Sequence, residues 1–322
     1  MQESRKKTLM VQPDRPESPA TPAVEWVTIG PESEGQRVDN FLFRHLKGVP
    51  KSRIYRMLRG GEVRINKKRA DPAYHLQLDD LLRIPPVRVA ERAVAPAHAG
   101  GGEPMLPRVL YRDDSLMVLD KPAGQAVHGG SGISLGIIEQ LRAEMPEQRF
   151  LELAHRLDRD TSGVLILALR RSALTALHEM LRQGIIRKTY LALVIGHWRD
   201  AVRNVKYPLL RHLGEDGERR VRVDMEAGQK AHTIFRLVRR YAGFSLLEVE
   251  LKTGRTHQIR VHAAACKHPL AGDAKYGDPE RNAALKKQGL RRMFLHAARL
   301  EFPHPLTGQA LDIRAPLAGE LE

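Results

Sequence analysis

Residues 164–168 read VLILA, five apolar positions without a break. A run that short, bounded by turn-forming residues, fits a strand buried on both faces rather than a helix. Elsewhere the apolar positions are spaced. RVDNFLFRHL puts Val38, Leu42 and Leu46 at helical intervals, and SRIYRMLRGG repeats the pattern with Ile54 and Leu58 before a glycine stop at Gly60. The short strand-like pieces EVRIN and DLLRIPP flank the turn-forming NKKRADPA, and RVLYRDDSLMVLDKP predicts two strands turning at Asp113–Asp114. Ser172 is placed to cap a helix running to about Gln183, with Leu174, Leu177 and Leu181 on one face and Gly184 ending it. KTYLALVIG predicts a strand with Lys188, Tyr190, Ala192 and Val194 on one side, and FRLVRRY and FSLLEVELK an antiparallel pair around Ala242–Gly243. LKTGRTHQIRVHAA passes from a strand through a Thr-Gly turn into a helix, with Thr256 as its cap and Ile259, Ala263 and Cys266 as its apolar stripe. His257 and Arg260, three apart, share another face. Strands outnumber helices and no solenoid repeat is present, which predicts an α+β fold on a mixed or antiparallel sheet.

Composition changes along the chain. Residues 1–24 are rich in Pro, Ser and charge and poor in large apolar residues, and read as a disordered tail. A small helix-helix-hairpin module follows over residues 25–90. RVAERAVAPAHAGGGEPML, with three consecutive glycines, marks a flexible linker over 91–106, and residues 107–322 form one larger domain.

Charge adds the first statement about partners. The chain carries 53 Lys and Arg against 38 Asp and Glu, a formal net charge of +15. Residues 36–90 hold 13 of the basic and 5 of the acidic residues, so more than half of the excess lies in the small module. Basic side chains recur through both of its helices and its hairpin, which points to a polyanion, nucleic acid first. A membrane surface is the rival, but no basic amphipathic helix and no apolar run of spanning length is present. The N-terminus lacks the apolar core of a secretory signal. Cys266 is the only cysteine, so no internal disulfide can form, and the cytoplasm is the expected compartment.

Common chemistries drop out next. No phosphate-binding Walker loop is present, and the glycines at 130, 132 and 136 in GGSGISLG miss a dinucleotide-loop register by one. HEMLR at 178–182 opens like a zinc-protease helix but has Arg182 where the second ligand must stand. One cysteine is too few for a zinc deaminase. The expectation is a protein that works without metal or cofactor.

Three segments remain: HRLDRDTSG (155–163) leading into the buried strand, the tyrosine-bearing RKTYLALV, and TGRTHQIRVH. Arg260 projects from a fixed helix start and would keep an opposing carboxylate ionised and aimed. Together and in this order the three resemble the active-site motifs of the RluA-type pseudouridine synthases, and the basic module resembles the S4 RNA-binding domain that many of them carry. The resemblance runs from about residue 35 to 315. LKGVPKSRIYRMLRGGEVRINKKR, IPPVRVAER and AVHGGSG are similar to members acting on bacterial large-subunit (23S) ribosomal RNA.

The resemblance implies a pseudouridine synthase domain, an isomerase that needs no cofactor, and 23S RNA or a pre-ribosomal particle as partner of a cytoplasmic monomer. It maps the reacting carboxylate onto Asp158. Asp160 falls where the motif varies, and Asp-Thr-Ser-Gly gives it a turn to make. Asp158 is then nucleophile or base, Arg260 keeps it charged, and Tyr190 offers a ring and a phenol to the detached base. Arg156 is placed to fill the gap left by a flipped uridine, Lys188 to meet a phosphate. Arg53, Arg56, Lys67 and Lys68 are the expected RNA contacts of the small module. Taken singly, each residue has an ordinary structural alternative: a turn aspartate, a packed tyrosine, a surface ion pair. A non-catalytic RNA-binding or ribosome-assembly factor would need only the basic module, and a glycosylase would release free base. The conjunction of three motifs favours the isomerase.

Overall fold

The computed structural model describes residues 23–46, 48–87, 104–129, 135–214, 217–317 and 319–321. Nearly all of the expected tail, all but the last three residues of the expected linker, and residues 130–134 of the GGSGISLG loop lie outside them. The chain divides into two compact units with a boundary between residues 94 and 95.

The smaller unit contains β1 (Glu25–Thr28), α1 (Val38–His45), α2 (Lys51–Arg59), β2 (Arg64–Ile65), β3 (Lys68–Arg69) and β4 (Leu81–Ile84). Its four strands pair antiparallel in the order β1-β4-β2-β3. The helical spacing of Val38, Leu42, Ile54 and Leu58 does what it predicts, for all four are buried in one apolar cluster with Val63, Leu82 and Ile84. Within NKKRADPA, Asn66 and Lys67 both have positive φ (49° and 69°), as a two-residue hairpin turn requires. That turn brings Lys68–Arg69 back as a short strand where the sequence indicated only a turn. β1 was not legible either, since EWVT is an edge strand with Trp26 half exposed.

The larger unit contains β5 (Val109–Arg112), β6 (Leu116–Lys121), α3 (Ile137–Glu144), β7 (Glu152–Leu153), β8 (Ser162–Ala168), α4 (Arg171–Gln183), β9 (Arg187–Ile195), β10 (Val202–Val205), β11 (Leu209–Leu213), β12 (Arg219–Val223), β13 (Thr233–Tyr241), β14 (Phe244–Leu251), α5 (Gln258–Ala265), α6 (Pro279–Lys287), β15 (Leu295–Pro303) and β16 (Ala310–Arg314). The main sheet runs β10-β13-β14-β9-β15-β8-β6-β5, with β16 on β15 and β7 on β8. β15 and β8 are parallel and the other pairings antiparallel, so the sheet is mixed and the fold is α+β. β11 and β12 form a separate two-stranded ribbon.

All seven residues of β8 are buried, which explains its unbroken apolar run. Leu165 and Leu167 join a core that includes Ala192, Val194, Ile259 and Ala263, whereas Val164 and Ile166 join a second core with Ala173 and Leu177 of α4. A strand covered on both faces has no solvent side on which to alternate. At its mouth Gly163 has φ +105°, and a Cβ there would stand 2.2 Å from the Ala297 carbonyl oxygen. Only glycine fits that conformation and that approach. The register then places Gly163 beside Ala297 and Ala297 beside Tyr190 in a row across β8, β15 and β9.

Two helix starts differ from expectation. Arg170, not Ser172, is the N-cap of α4, because the strand before it ends at Ala168 and the first helical turn closes on the Arg170 carbonyl. The N-cap of α5 is His257, in the left-handed region at φ 52°, rather than Thr256. There the turn is knitted by Gln258 instead of a cap: its Oε1 accepts from Thr253 Oγ1 (2.8 Å) and Arg255 N (3.0 Å), and its Nε2 donates to the His232 carbonyl (3.0 Å).

Candidate active site

The three segments picked out in the sequence meet at one end of the main sheet, around a cavity of about 550 Å³. Its wall includes Arg156 and Asp158 from the loop before β8, Lys188 and Tyr190 from β9, and His257 and Arg260 from the start of α5. That volume lies in the usual range for a small-molecule site.

Asp158 sits in a loop built to hold it. Its carbonyl accepts from Thr161 N at 3.1 Å, closing the turn that DRDT suggests. The Lys121 ammonium, fully buried at the end of β6, donates to the carbonyls of Pro122 (2.7 Å), Gln125 (2.8 Å) and Arg159 (2.9 Å). Burial pulls Lys121 down to about 7, opposed by the charges of Asp160 and Asp158. Asp160 points away to an exposed pair with Arg159 at 3.2 Å.

The Asp158 carboxylate faces Arg260 Nη1 at 3.4 Å and His257 Nε2 at 3.8 Å. Arg260 is held from behind by Asp273, which accepts from Nε and Nη2 at 2.8 Å each. Asp273 is itself fixed by the backbone N–H groups of Lys275 (2.8 Å) and Tyr276 (3.1 Å). A two-pronged pair of this kind sets the guanidinium plane as well as its position. Burial works against the Arg260 charge, but Asp273 and then Asp158 outweigh it and raise its pKa. The cation stays charged at any working pH. Tyr276 completes the surround, its ring 5.1 Å from the Arg260 guanidinium and its Oη 2.8 Å from His257 Nδ1.

Tyr190 is buried, and desolvation with the Asp158 charge raises its phenol, so the hydroxyl stays protonated at neutral pH. Lys188 lies two residues away on the same face and is buried, its pKa lowered by desolvation. Arg156 is exposed at the rim. His155 is no ligand: its Nε2 accepts from Ile166 N at 3.0 Å, tying the loop to β8. Burial first, then Lys188, lowers it to about 4. Because the unfolded ring takes its proton near pH 6.5 and the folded one only near 4, the unfolded chain binds the extra proton between those values. Stability present above pH 6.5 should therefore be lost as pH falls towards 4, by about 2 kcal/mol for a ring partly open to the cavity. Denaturant titrations of wild type and His155→Gln check this, since only the wild type should show that acid loss.

In the smaller unit Arg56, Lys67 and Lys68 are exposed. Arg53 is half tied, 3.3 Å from Glu62. Among the described residues no group of three or more His, Cys, Asp or Glu side chains could hold a metal ion. Sequence reading missed Lys121, Asp273 and Tyr276. Asp273 and Tyr276 lie in GDAKYG, which reads as an ordinary turn; its one signal is an acid and a tyrosine held between two glycines.

The family model described as RNA pseudouridylate synthase matches residues 115–265, which include Asp158, Tyr190 and Arg260, and the S4 domain model matches residues 36–82. Over 307 residues the chain is 54% identical to the ribosomal large subunit pseudouridine synthase C of Salmonella typhimurium, covering 94% of this chain and 96% of that one. The protein of the same name from Escherichia coli K12 is 54% identical over 302 residues, covering 92% and 94%. That of Pasteurella multocida is 50% identical over 302, covering 93% and 92%. Among solved structures, human RNA Pseudouridylate Synthase Domain Containing 4 superposes with a TM-score of 0.56 at 26% identity, covering 67% of this chain and 91% of that one. Human RNA Pseudouridylate Synthase Domain Containing 1 gives 0.55 at 26% identity, covering 66% and 85%.

Proposed function

The chain belongs to the RNA pseudouridylate synthase family, and from that premise we propose that it isomerises particular uridines of 23S ribosomal RNA to pseudouridine, with Asp158 reacting at the sugar. The observation that carries this reading is the Asp158 carboxylate at the wall of a nucleotide-sized cavity, faced by a permanently charged Arg260. The names of the relatives and the S4 match support the large-subunit substrate.

The isomerisation breaks the bond between uracil N1 and the sugar C1′, turns the base, and joins C1′ to C5. The C5 proton is lost and N1 ends protonated, so atoms balance with no redox step and no group released. Asp158 either attacks C1′ to form a covalent ester or removes a sugar proton to give a glycal; both need an ionised carboxylate. Arg260 supplies that, and its bond to Asp273 keeps it from following the substrate out. The protonated phenol of Tyr190 suits it to stack on the turning base and donate a hydrogen bond. It suits it less to take the C5 proton directly. Arg156, exposed at the rim, is placed to occupy the stack the uridine leaves, and Lys188 to meet a phosphate inside the cavity. The substrate sets the work in the cytoplasm, where the protein acts as a monomer.

The small module is the grip. Lys67 and Lys68 stand at the tip of its hairpin and Arg56 on α2, all exposed to a backbone they can reach. Replacing Lys67 and Lys68 by Ala should weaken RNA binding evenly across sequences and reduce the salt dependence by about one phosphate contact each. Binding titrations from low to moderate salt measure it, and an unchanged slope would remove these lysines from the interface.

The reading is tested with unmodified 23S RNA tritiated at uridine C5. Tritium release with an intact RNA chain and mapped pseudouridine supports it. Tight binding without release would make the protein an assembly factor, and free uracil would make it a glycosylase.

A further inference from the structure

The β11–β12 ribbon carries Arg211, Arg219, Arg220 and Arg222; Arg220 pairs with Glu218 at 3.7 Å and Arg222 with Asp224 at 3.2 Å, whereas Arg211 lines the Asp158 cavity. Through Arg211 the ribbon reaches the cavity of the reacting carboxylate. It does not belong to the main sheet, so something else must fix it. Its apolar side, Leu209 and Val221, packs on Val261 of α5 and on the Tyr276 ring. Its polar ties run to the same short segment: Val221 N donates to Tyr276 Oη at 3.0 Å, Lys275 Nζ donates to the Arg219 carbonyl at 2.8 Å, and Lys275 pairs with Glu218 at 3.0 Å.

Tyr276 Oη thus bonds in two directions. One partner is the ribbon backbone; the other is His257 Nδ1, at 2.8 Å. A hydroxyl has one proton to give. The Val221 amide can only donate, so it occupies a lone pair of Oη, which leaves the phenol proton for Nδ1. A neutral imidazole that accepts at Nδ1 carries its own hydrogen on Nε2. That nitrogen faces Asp158 Oδ2 at 3.8 Å. Burial keeps His257 on the neutral side, with Arg260 and Lys275 acting the same way and Asp158 and Asp273 opposing. The other tautomer would turn a lone pair towards the carboxylate and leave Oη without an acceptor for its proton.

We infer that Tyr276 is a positioning residue that joins the ribbon to the catalytic carboxylate: substrate RNA that meets Arg211 at the cavity bears through the ribbon on the Val221–Tyr276 bond, and Tyr276 holds His257 with its Nε2–H towards Asp158. This rests on the reading of Asp158 as the reacting group of an RNA isomerase. Asp273 of the same segment holds Arg260, so residues 273–276 steady both neighbours of the carboxylate while they anchor the ribbon that meets substrate.

The test pairs spectroscopy with kinetics. In protein labelled with 15N-histidine, wild-type His257 should give the signature of hydrogen on Nε2 with Nδ1 accepting, and Tyr276→Phe should give a tautomer mixture. With C5-tritiated 23S RNA, Tyr276→Phe should lower kcat about tenfold, the effect of one buried hydrogen bond, and raise KM a few-fold as the ribbon loosens. In a His257→Gln background the same change should have little further effect on kcat, because both act along one path. Hydrogen on Nδ1 in the wild type, an unchanged kcat in Tyr276→Phe, or losses that multiply in the double variant would each overturn the inference. The nitrogen spectrum needs no substrate and no variant. A wild type that releases no tritium overturns the isomerase reading, whereas a wrong tautomer overturns this one.

Discussion

Asp158→Asn should release no measurable C5 tritium, at least 10³-fold below wild type, while it binds 23S RNA and folds as the wild type does. The amide keeps the shape of the side chain and removes the charge that either route at C1′ requires. The fold should tolerate it, because the side chain is 18% exposed and Arg260 keeps its shorter bonds to Asp273. Asp160→Asn is the matched control. Its carboxylate lies two residues away in an exposed pair with Arg159, and its loss should leave turnover near wild type. Comparable activity in Asp158→Asn and wild type would remove Asp158 from the reaction and reopen the choice between the two aspartates.

Arg260→Met should fail in two separable ways. Asp273 is completely buried and its carboxylate relies on the Arg260 fork, so the variant leaves a buried charge without its partner. Such a deletion costs about 3–5 kcal/mol. Activity should fall more than a hundredfold as well, since Asp158 loses its permanent counter-charge. Arg260→Met with Asp273→Asn separates the effects: the amide removes the orphaned charge and still accepts from Lys275 N and Tyr276 N, so the pair should restore much of the stability and none of the activity. Melting curves beside tritium release measure this. If the double variant recovers activity together with stability, Arg260 serves only the fold.

Much of the architecture was legible because the apolar pattern and the burial agree. VLILA could be read as a two-sided buried strand, and Tyr190 and Lys188 could be put on one face of β9, because those readings depend only on neighbours along the chain. The helix starts were not, because α4 begins where β8 lets go and α5 begins where Gln258 reaches Thr253 and His232. The site divides the same way. Three motifs named Asp158, Tyr190 and Arg260, but nothing local tells that Arg260 has a second carboxylate 13 residues on, or that a lysine at the end of β6 bonds the Arg159 carbonyl 38 residues away. Long-range polar ties leave no period in a sequence. Lys121 in LDKP looks like any charged residue before a turn, and its complete burial is a property of the loop that folds over it.

The place of β15 has a consequence for when the protein becomes competent. β8, which follows the Asp158 loop, and β9, which bears Tyr190, are close in sequence but not neighbours in the sheet: β15, residues 295–303, lies between them. A nascent chain that has emerged only to α6 has every residue of the motifs and no strand to bridge them. Insertion of a late central strand between two early ones is a long-range closure, slow compared with hairpin formation. A chain truncated before residue 295 should therefore be inert however many of its motif residues it keeps.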